Sequence, residues 1–251
     1  MTTNPVLWPR HLNPYSFELR LQFSAASSAF KSLEARIAER KRIAAKIQLI
    51  HRNGGPSPLA MERDEFRGLV DSMVNLVGPI LGDVQSFLAA VGVVSSILWP
   101  ADRPFGKESS DSVQKRVAIG AEIRKLVGVS DDSILNASTG KGRDIRGGLL
   151  HFDEMMNAFR STHPEGDFVS FDIGSAKNGT AVRRGEAVRW LDEDTLDLWV
   201  NGRDGNLREL LEELQRTVGR IQLTAKGTAQ IGPHRQGEPL SFGLAFGFQD
   251  K

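Results

Sequence analysis

Apolar residues recur at three- and four-residue intervals over most of the chain before Gly166, and alternate only after it. That pattern predicts a helical body followed by a few strands. The first helix is expected from about Tyr15 to His51, with Phe17, Leu21, Leu33, Ile37, Ala44, Ile47 and Ile50 near helical spacing. It should stop at Asn53-Gly-Gly-Pro-Ser-Pro58, a cluster of breakers. A second stretch, Glu65 to Leu98, is rich in Leu, Val and Ala. Pro79 lacks a backbone donor, so a kink or a split into two helices is expected there. A third helix, about Ser112 to Val127, follows a Ser-Asp-Ser cluster suited to capping. A fourth is expected over roughly Asp144 to Ser161, ending before His163-Pro-Glu-Gly166.

After Gly166, Val169, Phe171 and Ile173 alternate as in a half-buried strand, and Leu196, Leu198 and Val200 do the same. A further strand is expected around Val188 to Leu191. Helical spacing returns over Asn206 to Ile221, with Leu207, Leu210, Leu211, Leu214 and Val218 on one face. The expected fold is mainly α: four to five helices, with a small antiparallel β hairpin or sheet at about 167–201 before the last helix. Residues 1–222 are expected to form one domain. Residues 223–251 form a tail in which Leu240 to Phe248 is a candidate extra strand.

Composition narrows the function classes. The 32 Lys and Arg nearly balance 31 Asp and Glu, which argues against coating nucleic acid by bulk charge. With no cysteine, thiolate metal sites and thiol nucleophiles are excluded. The segment Met1 to Pro14 lacks a basic start followed by an apolar run. The best apolar run, Phe87 to Trp99, is short for a bilayer and better suited to a core helix. A cytoplasmic protein without membrane contact is therefore expected.

Charge is local rather than global. Between Lys31 and Arg52 seven basic residues face two acidic ones. A solvated helix face explains this most simply, although counter-ion release would reward the same face beside RNA. Ser138-Thr-Gly-Lys-Gly142 resembles a phosphate loop but lacks the first glycine, since Leu135 stands there, and lacks the Ser or Thr after the lysine. The five histidines, at 11, 51, 151, 163 and 234, have no metal-ligand spacing, so no metal or cofactor is expected. Trp8, Trp99, Trp190 and Trp199 suit core or interface anchors.

The richest chemistry lies in Arg143-Asp-Ile-Arg-Gly-Gly-Leu-Leu-His-Phe-Asp-Glu154. Ile145, Leu149, Phe152, Met156 and Phe159 make one face of the predicted helix core. Arg146 and His151 flank that stripe, about 140° apart on an ideal helix. They converge only if Arg146 sits in an irregular first turn, which Gly147-Gly148 favours, or if a second copy faces the first.

Arg146, four intervening residues and His151, at the start of a late helix, resemble the signature of HEPN-domain proteins (higher eukaryotes and prokaryotes nucleotide-binding). The run through His151-Phe-Asp-Glu154 is similar to a bacterial HEPN-like branch. Ser95-Ser-Ile-Leu-Trp-Pro100 and Thr195-Leu-Asp-Leu-Trp199 followed by an amphipathic helix agree in order. The resemblance spans Tyr15 to about Ile221. It implies a HEPN-like helical bundle and a homodimer in which two motifs line one cleft. It further implies a metal-independent endoribonuclease of toxin or defence type, with a possible antitoxin protein as partner. His151 would then be the general acid or base at the ribose 2′-hydroxyl and the leaving oxygen. Arg146 would hold the scissile phosphate. Asp144 or Asp153 would orient Arg146, and Lys141 and Arg143 would add positive charge for the substrate. The residue after the arginine, commonly polar in active members, is Gly147 here. That departure leaves open a catalytically inactive module that binds a partner protein or a nucleotide.

Overall fold

The computed structural model describes residues 6–52, 63–136, 161, 171–175, 189–200, 203–223 and 229–232. Among them the chain is mainly helical, with four α-helices and two small sheets. Helix α1 (Asn13–Arg52) follows a short 3-10 turn at Arg10–Leu12 and pairs along its length with α2 (Arg63–Leu98).

The pairing rests on a 3.5-residue period. Leu12, Ser16, Leu19, Phe23, Ala26, Phe30, Leu33 and Ile37 are all buried, at alternating steps of four and three. Ile80, Val84, Phe87, Val91, Val94 and Leu98 repeat the same steps on α2. Two such seams can interlock side chain into gap over many turns. Phe30 and Phe87 meet within the seam, ring centroids 5.6 Å apart and tilted by 55°. The seam corrects one expectation: Phe17 and Leu21 lie outside it and are 59% and 50% exposed.

Of the two outcomes expected at Pro79, a kink or a split, the split does not occur. Pro79 sits inside one continuous helix, so the lost hydrogen bond is tolerated without a break. The stretch Phe66–Leu98, 33 residues, is long and apolar enough to cross a membrane by length and composition. Half of its most apolar window is buried inside the fold, where Ile80 to Leu98 supply much of the core.

Helix α3 (Ser110–Val127) begins two residues before the expected Ser112: Ser109 is the cap, and its hydroxyl accepts from the Ser112 N–H. It ends at Gly128 with φ 70°, the left-handed conformation glycine adopts freely. Midway along it, Gly120 lies against the end of α2. A Cβ there would stand 2.5 Å from Pro100 Cδ and 2.9 Å from the Leu98 carbonyl oxygen.

The central sheet has the order β2-β3-β4-β5, with β2 at Asp172–Gly174, β3 at Arg189–Asp192, β4 at Asp197–Val200 and β5 at Arg203–Asn206. It is mixed rather than antiparallel, because β2 and β3 run parallel. Parallel neighbours need a crossover, which a simple hairpin cannot supply. Strand β5 reads Arg-Asp-Gly-Asn and carries no apolar alternation, so it was not expected. The register places Ile173, Leu191 and Leu198 side by side on one face, all buried. Trp190 and Trp199 pair on the other.

Helix α4 (Leu207–Thr217) follows directly. Asn206 caps it, its side-chain oxygen accepting from the Arg208 and Glu209 N–H groups at 2.9 and 3.0 Å. Leu207, Leu210, Leu211, Leu214 and Val218 are buried as expected. A second sheet, in the order β1-β7-β6, joins β1 (Val6–Leu7) to β7 (Ala229–Ile231) and β6 (Ile221–Leu223). The expected strand at Leu240 to Phe248 lies outside the described residues, but 229–231 gives the tail a strand nearer α4. Side chains from all four helices and both sheets share one hydrophobic core.

Candidate functional site

Every residue singled out for chemistry lies outside the described residues: Lys141, Arg143, Asp144, Arg146, His151 and Asp153, with Gly147 between them. Of the predicted fourth helix only Ser161 is described, in helical conformation. These residues fall between Asn136, beyond α3, and Phe171, just before β2.

In the basic run of α1, Arg36, Arg40, Lys41 and Arg42 are engaged within the molecule. Arg36 donates to Asp83 of α2 at 2.7 Å. Arg40 donates to the Ile173 carbonyl at 2.7 Å and to Glu193 at 3.3 Å. Lys41 donates to Asp194 at 2.6 Å, and Arg42 to Glu39 of the same helix. One turn earlier Glu34 accepts from Arg208 of α4 at 2.8 Å. These contacts fasten the β3–β4 turn and α4 to α1. Arg36, Arg40 and Lys41 are therefore matched by carboxylates of the fold itself.

The turn at the foot of β3 is the most polar buried region described. Asp192, 3% exposed, accepts from the backbone N–H groups of Asp194 and Thr195 at 2.7 and 3.0 Å. Ser175, also buried, donates to Asp194. Burial pushes the Glu193 carboxyl above the usual carboxylate range, against the pull of Arg40 and Lys41, and Asp194 and Asp192 add to the upward shift. Leu196 closes the turn with φ 62°, a strained value for a side chain of its size, held by burial and by its N–H bond to the Asp192 carbonyl. The arrangement is a structural clasp: each carboxylate is answered by a backbone or side-chain donor.

Two hollows open elsewhere. The smaller, about 200 Å³, lies on the outer face of the central sheet between Trp190, Trp199, Asp197 and Asp204. The larger, about 390 Å³, lies where the loop after α3 meets the last turn of α4. Its walls include Gly128, Asp132, Ser133, Glu213, Arg216 and Thr217. Glu213 is held from two sides: Ser133 donates to it at 2.8 Å, and Arg216, one turn on, forms an ion pair with it. The Glu213 side chain is 9% exposed and that of Arg216 is 61% exposed. The apolar spacing of the helix picks out Leu210, Leu211 and Leu214, and nothing in it marks Glu213 as a buried carboxylate.

Among the described residues no group of three or more His, Asp or Glu side chains is arranged to hold a metal ion. Comparison with protein-family models, curated proteins and solved structures finds no match to this chain.

Proposed function

We propose that the chain is a HEPN-like, metal-independent endoribonuclease of toxin or defence type, acting at a cleft between two copies. The observation that carries this reading is the spacing of Arg146 and His151 in the segment between α3 and the central sheet. The order of elements around that segment supports it: two long paired helices and α3 before it, a Leu-Trp strand and an amphipathic helix after it.

In the proposed reaction the ribose 2′-oxygen attacks the adjacent phosphorus and the 5′-oxygen leaves. The products are a 2′,3′-cyclic phosphate and a free 5′-hydroxyl. His151 of one copy removes the 2′-hydroxyl proton, and that of the other protonates the leaving oxygen, as two imidazoles near neutral pH allow. Arg146 pairs with the phosphate oxygens and stabilises the charge that grows on them. Lys141 and Arg143 attract the substrate, while Arg36, Arg40 and Lys41 of α1 serve pairs within the fold.

The test is cleavage of RNA by the purified chain in the presence of a chelator. Cyclic phosphate ends are expected, with cutting lost in His151→Ala and in Arg146→Ala. Intact RNA with folded protein at several concentrations would sink the nuclease reading. Gly147 favours a second one, an inactive HEPN-like module that holds a partner protein or a nucleotide. That alternative expects a dimer in sedimentation, no cleavage, and co-purification of the partner.

A further inference from the structure

We infer that the hollow on the outer face of the central sheet binds a small organic cation carrying a neutral oxygen acceptor, the chemistry of an amino alcohol such as choline. This inference is independent of the nuclease reading and uses none of its residues. The sheet register builds the walls: Trp190 of β3 stands opposite Trp199 of β4, and Trp199 opposite Asp204 of β5. Asp197 lies two residues before Trp199 on the same face, and Glu209 of the first turn of α4 completes the lining. Two indoles are thus joined to three carboxylates, with no cation among the described lining residues. Indole faces and carboxylates both attract an organic cation. An anion is disfavoured there, and the N-terminus of α4 beside the hollow is already answered by the Asn206 side chain.

The buried indole fixes the other end of the ligand. Trp190 is 4% exposed, and its indole N–H, shielded from solvent, finds no acceptor among the described residues. A buried donor left unpaired is costly, and an incoming oxygen relieves that cost. Asp197 is held elsewhere, by the Thr195 hydroxyl at 2.7 Å and the Asn206 amide at 2.8 Å, neutral donors that leave its charge in place. Depth then orders the ligand. Trp190 is buried, Trp199 half-buried, and Asp204 and Glu209 exposed, so the oxygen goes in first and the charge stays near the rim. A lysine or arginine side chain of a partner protein would enter charge first and bring no acceptor to Trp190. Size agrees: about 200 Å³, at about 30 Å³ per water, holds on the order of seven such groups, a headgroup rather than a drug-sized molecule.

The full chain is titrated with choline, with calorimetry reading affinity and nuclear magnetic resonance following the Trp190 indole N–H. Tetramethylammonium lacks the oxygen, the neutral carbon isostere of choline lacks the charge, and N-acetyl-arginine amide stands for a protein side chain. Choline is expected to bind and to move the indole resonance downfield. Tetramethylammonium should bind about three- to tenfold more weakly and leave that resonance in place. The neutral isostere should bind at least about fivefold more weakly. Trp190→Phe should lower choline to the level of tetramethylammonium and leave tetramethylammonium itself unchanged, a pattern that a damaged fold does not give. Glu209→Gln, an exposed change, should weaken both cations alike. No binding of choline by the folded chain, equal affinity for choline and tetramethylammonium, or tighter binding of the arginine amide would each overturn the inference.

Discussion

Arg40 of α1 reaches the central sheet twice, donating to the Ile173 carbonyl at 2.7 Å and to the Glu193 carboxylate at 3.3 Å. Both side chains of the ion pair are largely buried, at 13% and 11% exposed. Burial raises the Glu193 pKa more than Arg40 lowers it. The carboxyl therefore binds its proton more tightly folded than unfolded. Its contribution to stability is whole below the ordinary value of 4.5 and is lost as pH rises through the folded value.

Glu193→Gln keeps an acceptor for Arg40 and removes the desolvated charge. Urea denaturation at neutral pH should show it unchanged within about 1 kcal/mol, or more stable. Arg40→Ala leaves the carboxylate buried without its hydrogen-bonded cation, and should cost about 3 kcal/mol. A large loss in Glu193→Gln would show that the pair is worth more than its desolvation.

Glu108 has the opposite sign. Arg116 holds its carboxyl below the usual range, helped by the Phe105 N–H and the Ser112 hydroxyl. The support it gives the loop after α2 is present above the ordinary value of 4.5 and fades as pH falls through the lowered one. Arg116 also donates to the Ala101 and Arg103 carbonyls and lies over the Phe105 ring, 4.7 Å from its centroid. Arg116→Ala should speed amide exchange and cleavage after Arg103 and Lys107 without unfolding the core. An exchange pattern identical to that of the parent would rule this clasp out.

Two glycines within helices should answer the same substitution with opposite signs. At Gly120 an added Cβ meets Pro100 and the Leu98 carbonyl, so Gly120→Ala should cost about 1–3 kcal/mol. At Gly82 nothing lies within 4 Å, so Gly82→Ala should gain about 0.5–1 kcal/mol from helix propensity. Thermal denaturation of the two variants side by side decides it.

If RNA is the substrate, Lys141→Ala and Arg143→Ala should each weaken binding and reduce the salt slope by about one. Arg36→Ala and Lys41→Ala should leave that slope unchanged, since their charges are matched by Asp83 and Asp194. Fluorescence anisotropy across a salt series reads both. A slope that responds to the α1 variants would return that helix to the substrate path.

Much of the helical body was legible, for reasons that also mark what was not. Long apolar periods and polar caps placed α1, α2, α3 and α4 to within a few residues. The buried stripe of α1 was read correctly at Leu33 and Ile37 but misplaced at its start, where the hydroxylated Ser16 belongs to it and does not count as apolar. Phe17 and Leu21 drew attention by size instead. Strand β5 was invisible because backbone pairing with β4 makes it, with no apolar pattern of its own. In the candidate site the residue types of Arg146 and His151 suggested chemistry, but whether they converge depends on a facing surface that spacing along one helix does not encode. Glu213 was missed for the complementary reason: its burial comes from a loop far away in sequence.

The small β1-β7-β6 sheet sets a condition on how the molecule is made. Val6 and Leu7 pair with Ile231 and Gln230, and the Trp8 N–H donates to the Ala229 carbonyl at 2.9 Å. All four helices and the central sheet lie between these partners, so this sheet closes only after residues 229–231 have been synthesised. Until then the N-terminal strand has no neighbour on the growing chain, and Trp8, buried in the finished core, has no complete pocket to enter. A ribosome-bound chain stopped before residue 229 should hold its long helical pair while its N-terminus stays open to proteases.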